Sequence, residues 1–137
     1  PTKRGMLRVV MSIYDPLGLL SFITIEGKNV LREAWREEAE WDDQLAGVVE
    51  RRWHEWTRHL GTLKDIVVPR WYGVDDSPVD LHVYVDASEA AVAAVCYVVQ
   101  RQQDRVVRAL VMSKCLVAPI KTKSIPCLEL DAAVLGV

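Results

Sequence analysis

Two carboxylates stand out because each interrupts an apolar stretch of the chain. Asp86 follows Leu81, Val83 and Val85, which alternate with polar residues as in a two-faced strand. Glu129 lies in an otherwise apolar helical pattern near the end of the sequence. Each has a local explanation: an Asx-type turn for Asp86, and a favourable charge near a helix N-terminus for Glu129. If the fold brings them together, they need compensation, and a divalent cation is the usual means.

The elements that must position these carboxylates follow from periodicity and turn residues. Strand-like runs at 80–86, 91–100 and 105–113 are joined by short polar segments such as QRQQDR, which predicts an antiparallel meander. The loop KCLVAPIKTKS leads to Pro126, a residue that suits the first turn of a helix. The final helix has apolar residues on nearly every side, so we expect it to be buried.

The first 60 or so residues are predicted to form about three helices, which makes the fold class α+β. The clearest helix has apolar residues at helical spacing and an N-cap at Asp42 or Asp43; its apolar positions are Leu45, Val48, Val49, Trp53, Trp56 and Leu60. A second helix contains Gly27 as a weak point. We assign residues 1–62 to a helical segment, 63–78 to a linker, and 79–137 to the strand-rich part.

Four tryptophans of the helical segment could form a stacking platform for nucleic acid bases. They are Trp35, Trp41, Trp53 and Trp56. Their helical spacing favours packing roles instead.

Composition is typical of a globular protein: half of the 137 residues are hydrophobic and 26% are charged. A net charge of −2 argues against tight binding of a nucleic acid backbone by this chain alone. The cysteines Cys96, Cys115 and Cys127 lack a CxxC spacing, so reduced thiols in an intracellular setting are expected. No uninterrupted apolar run is long enough to predict a membrane-spanning helix.

Several segments, in order, resemble the Pol polyprotein of Pao/BEL-type LTR retrotransposons. They are MSIYDPLGLLSFITI at 11–25, VPRWYG at 68–73, HVYVDASEAAVAAVCY at 82–97 and LVMSKCLVAPIKTKSIPCLELDAAVLG at 110–136. The order of strand with Asp, two strands, loop and helix with Glu resembles the first half of a ribonuclease H domain. The helical segment then resembles the thumb or connection region that follows a reverse transcriptase palm.

This resemblance implies hydrolysis of the RNA strand in RNA–DNA hybrids at a site with two Mg²⁺ (or Mn²⁺) ions. Asp86 would bridge both ions and Glu129 would hold one of them, so these two residues are the expected catalytic and metal-binding residues. Two further carboxylates are expected beyond Val137, and the isolated fragment is therefore expected to be inactive. Ser113 and Lys114 are candidate contacts to the substrate backbone, or simply the polar end of a strand.

The resemblance also implies partners and a location. The expected partners are the RNA–DNA hybrid, the reverse transcriptase palm upstream, and the rest of ribonuclease H and integrase downstream. The expected location is a cytoplasmic virus-like particle, with no membrane association.

Two alternatives stay open. The family is often labelled an aspartic peptidase, with Asp86 as the catalytic aspartate, although a pepsin-type motif needs glycine where this chain has Ser88. The other alternative is a decayed or domesticated fragment that only folds or binds. Cys127 and Asp131 depart from the pattern of the family, which expects a basic and an apolar residue there.

Overall fold

The computed structural model describes residues 1–69 and 71–137. These residues form four α-helices, Lys3–Ser12 (α1), Ser21–Arg36 (α2), Gly47–Leu60 (α3) and Ile125–Leu135 (α4), with a 3-10 turn at Gly61–Asp65. Three strands precede α4: Asp80–Ala87 (β1), Ala91–Arg101 (β2) and Val106–Val117 (β3). The predicted α+β class, with helices first and then an antiparallel meander and a helix, is confirmed.

The chain divides into two compact units. One consists of Pro1–Pro16 and Phe22–Val67, and the other of Leu17–Ser21 and Val68–Val137. The second unit therefore contains the sheet, α4 and a short stretch taken from between α1 and α2.

The first unit is built on the apolar stripe of α3. Trp53 and Trp56 are 7% and 2% exposed, and the indole Nε1 of Trp56 donates a hydrogen bond to the carbonyl oxygen of Ile23 at 2.7 Å. The packing of Trp56 requires glycine at position 27, because a Cβ there would overlap the indole ring. What the sequence presents as a weak point in α2 is the place where an indole packs against bare backbone.

One expectation for the first unit, the N-cap of α3, is wrong, and the packing role expected of the tryptophans takes two separate forms. The N-cap of α3 is Ala46, which makes no side-chain cap, rather than Asp42 or Asp43. Trp35 and Trp41 are each 40% exposed and pack edge to face against one another, with ring centroids 4.8 Å apart. Trp35 lies near the end of α2 and Trp41 follows that helix, so the helical spacing of the four tryptophans did not describe one continuous stripe.

The three strands form one antiparallel sheet in the order β1-β2-β3, which places β1 at an edge. Asp86 pairs with Ala93 and Ala87 with Val92 in the β1–β2 register, while β2 pairs with β3 through a bulge between Cys96 and Tyr97. β3 extends to Val117, four residues beyond the predicted end at 113. The polar residues Ser113 and Lys114 lie within the strand and do not end it.

α4 covers one face of this sheet through a small buried cluster. Leu128 and Ala132 pack with Val92 and Ala118, and Ala87 of β1 lies against them. The expected burial on all sides is wrong: Leu130 and Val134 are 65% and 69% exposed. Apolar residues lie on most sides of the helix, but only the stripe that faces the sheet is covered in the part of the chain that the structure describes.

The described residues include no helix long and apolar enough to cross a membrane.

Candidate functional site

Asp86 is the penultimate residue of β1, at the end from which the chain enters the hairpin to β2. Ser88 holds that hairpin. Its hydroxyl oxygen lies 3.3 Å from the amide nitrogens of Ala90 and Ala91 and accepts from both, and the Ser88 amide donates to the carbonyl of Ala91. An Asx-type turn would be a local reason for Asp86, but it is Ser88 whose side chain supports the turn.

Glu129 is the fifth residue of α4, just past its first turn, and follows Leu128, a member of the buried cluster. Pro126 occupies the start of the helix, as predicted. Successive helical residues are rotated by roughly 100°, so Glu129 lies on the flank of the helix beside the buried stripe. Residues three and seven positions later, Ala132 and Gly136, share that flank.

Gly136 identifies what this flank of α4 faces. A Cβ there would lie 2.5 Å from Cγ1 of Val85 and 3.2 Å from Cγ1 of Val83, so the flank that carries Glu129 faces β1. The C-terminal end of α4 therefore lies against Val83 and Val85, whereas Leu128, nearer its N-terminal end, belongs to the cluster against which Ala87 packs. α4 thus runs antiparallel to β1, and Glu129 is at the end of β1 that carries Asp86.

The pleat of β1 separates the side chain of Asp86 from that of Glu129. Ala87 and Val92 belong to the face that α4 covers, and alternation assigns Asp86 and its partner Ala93 to the other face. The shortest path from the Asp86 carboxylate to the Glu129 carboxylate therefore passes around the end of β1. It does not cross the face of the sheet that α4 covers. The structure thus brings both residues to one end of β1 and puts them on different sides of its pleat.

Both carboxylates are solvent-exposed. Within residues 1–69 and 71–137, neither carboxylate group has a hydrogen-bond or ion-pair partner. In the same residues, no group of three or more His, Cys, Asp or Glu side chains is placed to hold a metal ion.

Ser113 and Lys114 occupy different surroundings. The Ser113 hydroxyl donates to the carbonyl oxygen of Gly18 at 2.5 Å, and its amide donates to the carbonyl of Leu17 at 2.8 Å. The hydroxyl proton of Ser113 is therefore engaged in a hydrogen bond within the second unit. This hydrogen bond attaches segment 17–21 to β3. Lys114 is exposed and lines a cleft of about 340 Å³ between the sheet and the end of α4.

Asp131, which departs from the pattern of the family, has a partner. Its carboxylate lies 2.6 Å from Nζ of Lys123, in the loop before α4. The ion pair spans eight residues and joins the second turn of α4 to the segment that leads into it. The charge of Asp131 is thus compensated at the helix surface. The sequence pattern did not predict this ion pair because Lys123 lies outside the helix.

Comparison with known proteins gives one match. A family model described as the Pao retrotransposon-like RNaseH-like domain matches residues 2–137. No curated protein and no solved structure matches the chain.

Proposed function

Because the chain belongs to the family of Pao retrotransposon-like RNase H-like domains, we propose that Asp86 and Glu129 form part of a two-metal site. That site hydrolyses RNA in RNA–DNA hybrids as part of a retrotransposon Pol polyprotein. The family description names a ribonuclease H-like domain, which favours this chemistry over that of an aspartic peptidase.

The observation that carries the proposal is the antiparallel run of α4 against β1. It puts the first turn of the helix near the end of the strand, where the partly buried Ala87 packs against the cluster that contains Leu128. Asp86 precedes Ala87 and Glu129 follows Leu128, so each carboxylate is attached to a residue whose position is fixed by packing. This packing supports a site at which both carboxylates contribute from the same end of β1.

The donor chemistry fits a hard divalent cation. Carboxylate oxygens are the ligands that Mg²⁺ prefers, and neither carboxylate group is engaged within the described part of the chain. The role of Asp86 is to present anionic oxygens at the end of β1, and that of Glu129 is to present a second carboxylate from the flank of α4. When bound, two such ions supply charge stabilisation to the attacking water and to the leaving oxygen.

The test is a Pol polyprotein that carries this chain, assayed for primer extension and, in parallel, for cleavage of a labelled RNA–DNA hybrid. Asp86→Asn and Glu129→Gln keep the side-chain shape and remove the charge. Each should lower hybrid cleavage by on the order of a thousandfold, because the lost charge stabilisation corresponds to several kcal/mol of barrier. Primer extension should stay near wild type.

Asp76→Asn is the matched control, since it removes an exposed carboxylate from a loop of the same unit. Hybrid cleavage that is equal in wild type, Asp86→Asn and Glu129→Gln would reject the proposal and return Asp86 to a local structural role.

A further inference from the structure

The loop that precedes β1 is held to the sheet by one buried amide. Gln100 of β2 is 1% exposed, and its Nε2 lies 2.9 Å from Oδ1 of Asp75 and 2.8 Å from the carbonyl oxygen of Ser77. Its Oε1 accepts from the amide of Asp75 at 3.1 Å. The backbone of this exposed loop therefore has a defined position.

Ser77 is presented by this loop. It is exposed, and it is the one serine or threonine of the sequence that is followed directly by proline. Its amide donates to Oδ1 of Asp75 at 2.8 Å, which fixes the backbone, and its hydroxyl lies close enough to the Asp75 carboxyl to contribute to the lowered pKa of that group. Proline at the next position disfavours helical backbone at Ser77, and the chain bends at residues 76 and 77, so the serine lies at an exposed bend of the loop.

Two arginines share a groove with Ser77. Arg101 and Arg105, at the β2–β3 hairpin, line the same groove of about 510 Å³ as Asp75 and Ser77. Nε of Arg105 donates to Oε1 of Gln102 at 2.7 Å, which orients that guanidinium and leaves its terminal N–H groups for another acceptor. Asp104 also lines the groove and, like the ionised Asp75 carboxylate, opposes an added anion, so the two guanidinium groups face two negative charges.

We propose that Ser77 is a phosphorylation site for a proline-directed serine/threonine kinase, and that Arg101 and Arg105 receive the phosphate. The Ser77 Oγ attacks the γ-phosphorus of ATP, a new O–P bond forms, the bond to the β,γ-bridging oxygen breaks, and ADP leaves. The hydroxyl proton passes to the catalytic base of the kinase. The phosphate then has charge-assisted hydrogen bonds within reach, and these tie the loop to the β2–β3 hairpin more strongly than Gln100 alone.

The experiment incubates the 137-residue chain with ATP and an activated mitogen-activated protein kinase, followed by mass spectrometry of the phosphopeptides. One phosphate per chain should appear at Ser77, none in Ser77→Ala, and at least about tenfold less in Pro78→Ala. Ser88→Ala is the matched control and should be phosphorylated as wild type. Phosphate spread over several serines, or incorporation unchanged in Ser77→Ala, would overturn the site.

The receiving arginines are tested separately on the phosphorylated chain. The second pKa of the phosphate, measured by phosphorus NMR, should be lower than in a phosphopeptide of residues 74–80, because nearby guanidinium groups favour the dianion. Amide exchange at residues 75–77 should slow by on the order of tenfold on phosphorylation, as charge-assisted hydrogen bonds would give. In the Arg101→Gln, Arg105→Gln double variant both effects should vanish, and their persistence would overturn the assignment of these arginines.

Discussion

At the residue scale, the sequence identified Asp86 and Glu129 because each breaks an apolar pattern, and in the structure both carboxylates are exposed and have no partner among residues 1–69 and 71–137. What the sequence could not predict is their relation across the pleat of β1, since that depends on which face α4 covers. Nor did any pattern predict the pairing of Asp131 with Lys123, or the burial of Gln100 beneath the loop at 73–77.

Asp75 gives a prediction about pH at this scale. Hydrogen bonds from Ser77 and Gln100 hold the pKa of the Asp75 carboxyl below its usual value of 3.8. A lowered folded-state pKa means that the stabilising contribution is present above the unfolded-state pKa and is lost as pH falls through the folded-state pKa. The Gln100 side-chain amide protons, followed by NMR from pH 5 downward, should lose their protection only below about pH 4.

The matched variants are Asp75→Asn and Asp76→Asn. The first should abolish the acid transition of the Gln100 amide, and the second should leave it unchanged. An unchanged acid transition in Asp75→Asn would show that another group controls the loop.

At the element scale, periodicity predicted the helices and strands well because local spacing decides which face of an element is apolar. Periodicity failed to predict burial where the burial of a side chain depends on a neighbour outside its own element. The exposed apolar side of α4 and the half-exposed Trp35–Trp41 pair both look like core in the sequence. Glycines show the same limit. Gly18, Gly47 and Gly61 are the same residue type, but their backbone angles and the space around them differ.

The three glycines yield a graded prediction for alanine substitution. Gly18 has a φ of +70°, and a Cβ there would overlap the carbonyl oxygen of Ser113, whereas Gly47 has the same φ with open space around it. Gly61 has a φ of −62° and open space. Gly47→Ala should cost about 1–2 kcal/mol for the left-handed backbone, Gly18→Ala more, and Gly61→Ala should be neutral or stabilise by about 0.4–1 kcal/mol.

Urea unfolding monitored by tryptophan fluorescence and by circular dichroism measures this series. The order of the three free energies of unfolding is the test. If Gly18→Ala were no worse than Gly47→Ala, the close approach of segment 17–21 to β3 would be refuted.

The tryptophans yield a second prediction at this scale. Trp53→Ala should lower the free energy of unfolding by about 3–5 kcal/mol, as other large-to-small changes in a core do. Trp35→Ala, at a half-exposed position, should cost clearly less. Equal costs, measured by urea unfolding, would mean that the apolar stripe of α3 is not the core of the first unit.

At the scale of the whole molecule, the family match identifies a ribonuclease H-like domain, and the proposed metal site rests on the two carboxylates Asp86 and Glu129. Mg²⁺ takes about six oxygen ligands in octahedral geometry, so two exposed carboxylates leave most positions to water. We therefore expect the 137-residue chain to bind Mg²⁺ no more tightly than on the order of millimolar and to cleave no RNA–DNA hybrid.

A titration with Mn²⁺ tests whether the two carboxylates share an ion even when binding is weak. Paramagnetic broadening should appear together at the amides of 86–88 and 128–130 if a route around the end of β1 lets Asp86 and Glu129 approach the same ion. Asp86→Asn should remove the broadening at both stretches, and Glu129→Gln should do the same, because a shared ion loses affinity when either ligand is lost. The exposed acidic residues of 37–43 serve as an internal control, since nonspecific binding there should be unaffected by either variant. Broadening that disappears only at the substituted residue would mean that the two carboxylates bind separate ions, and the pleat of β1 would then be the physical reason.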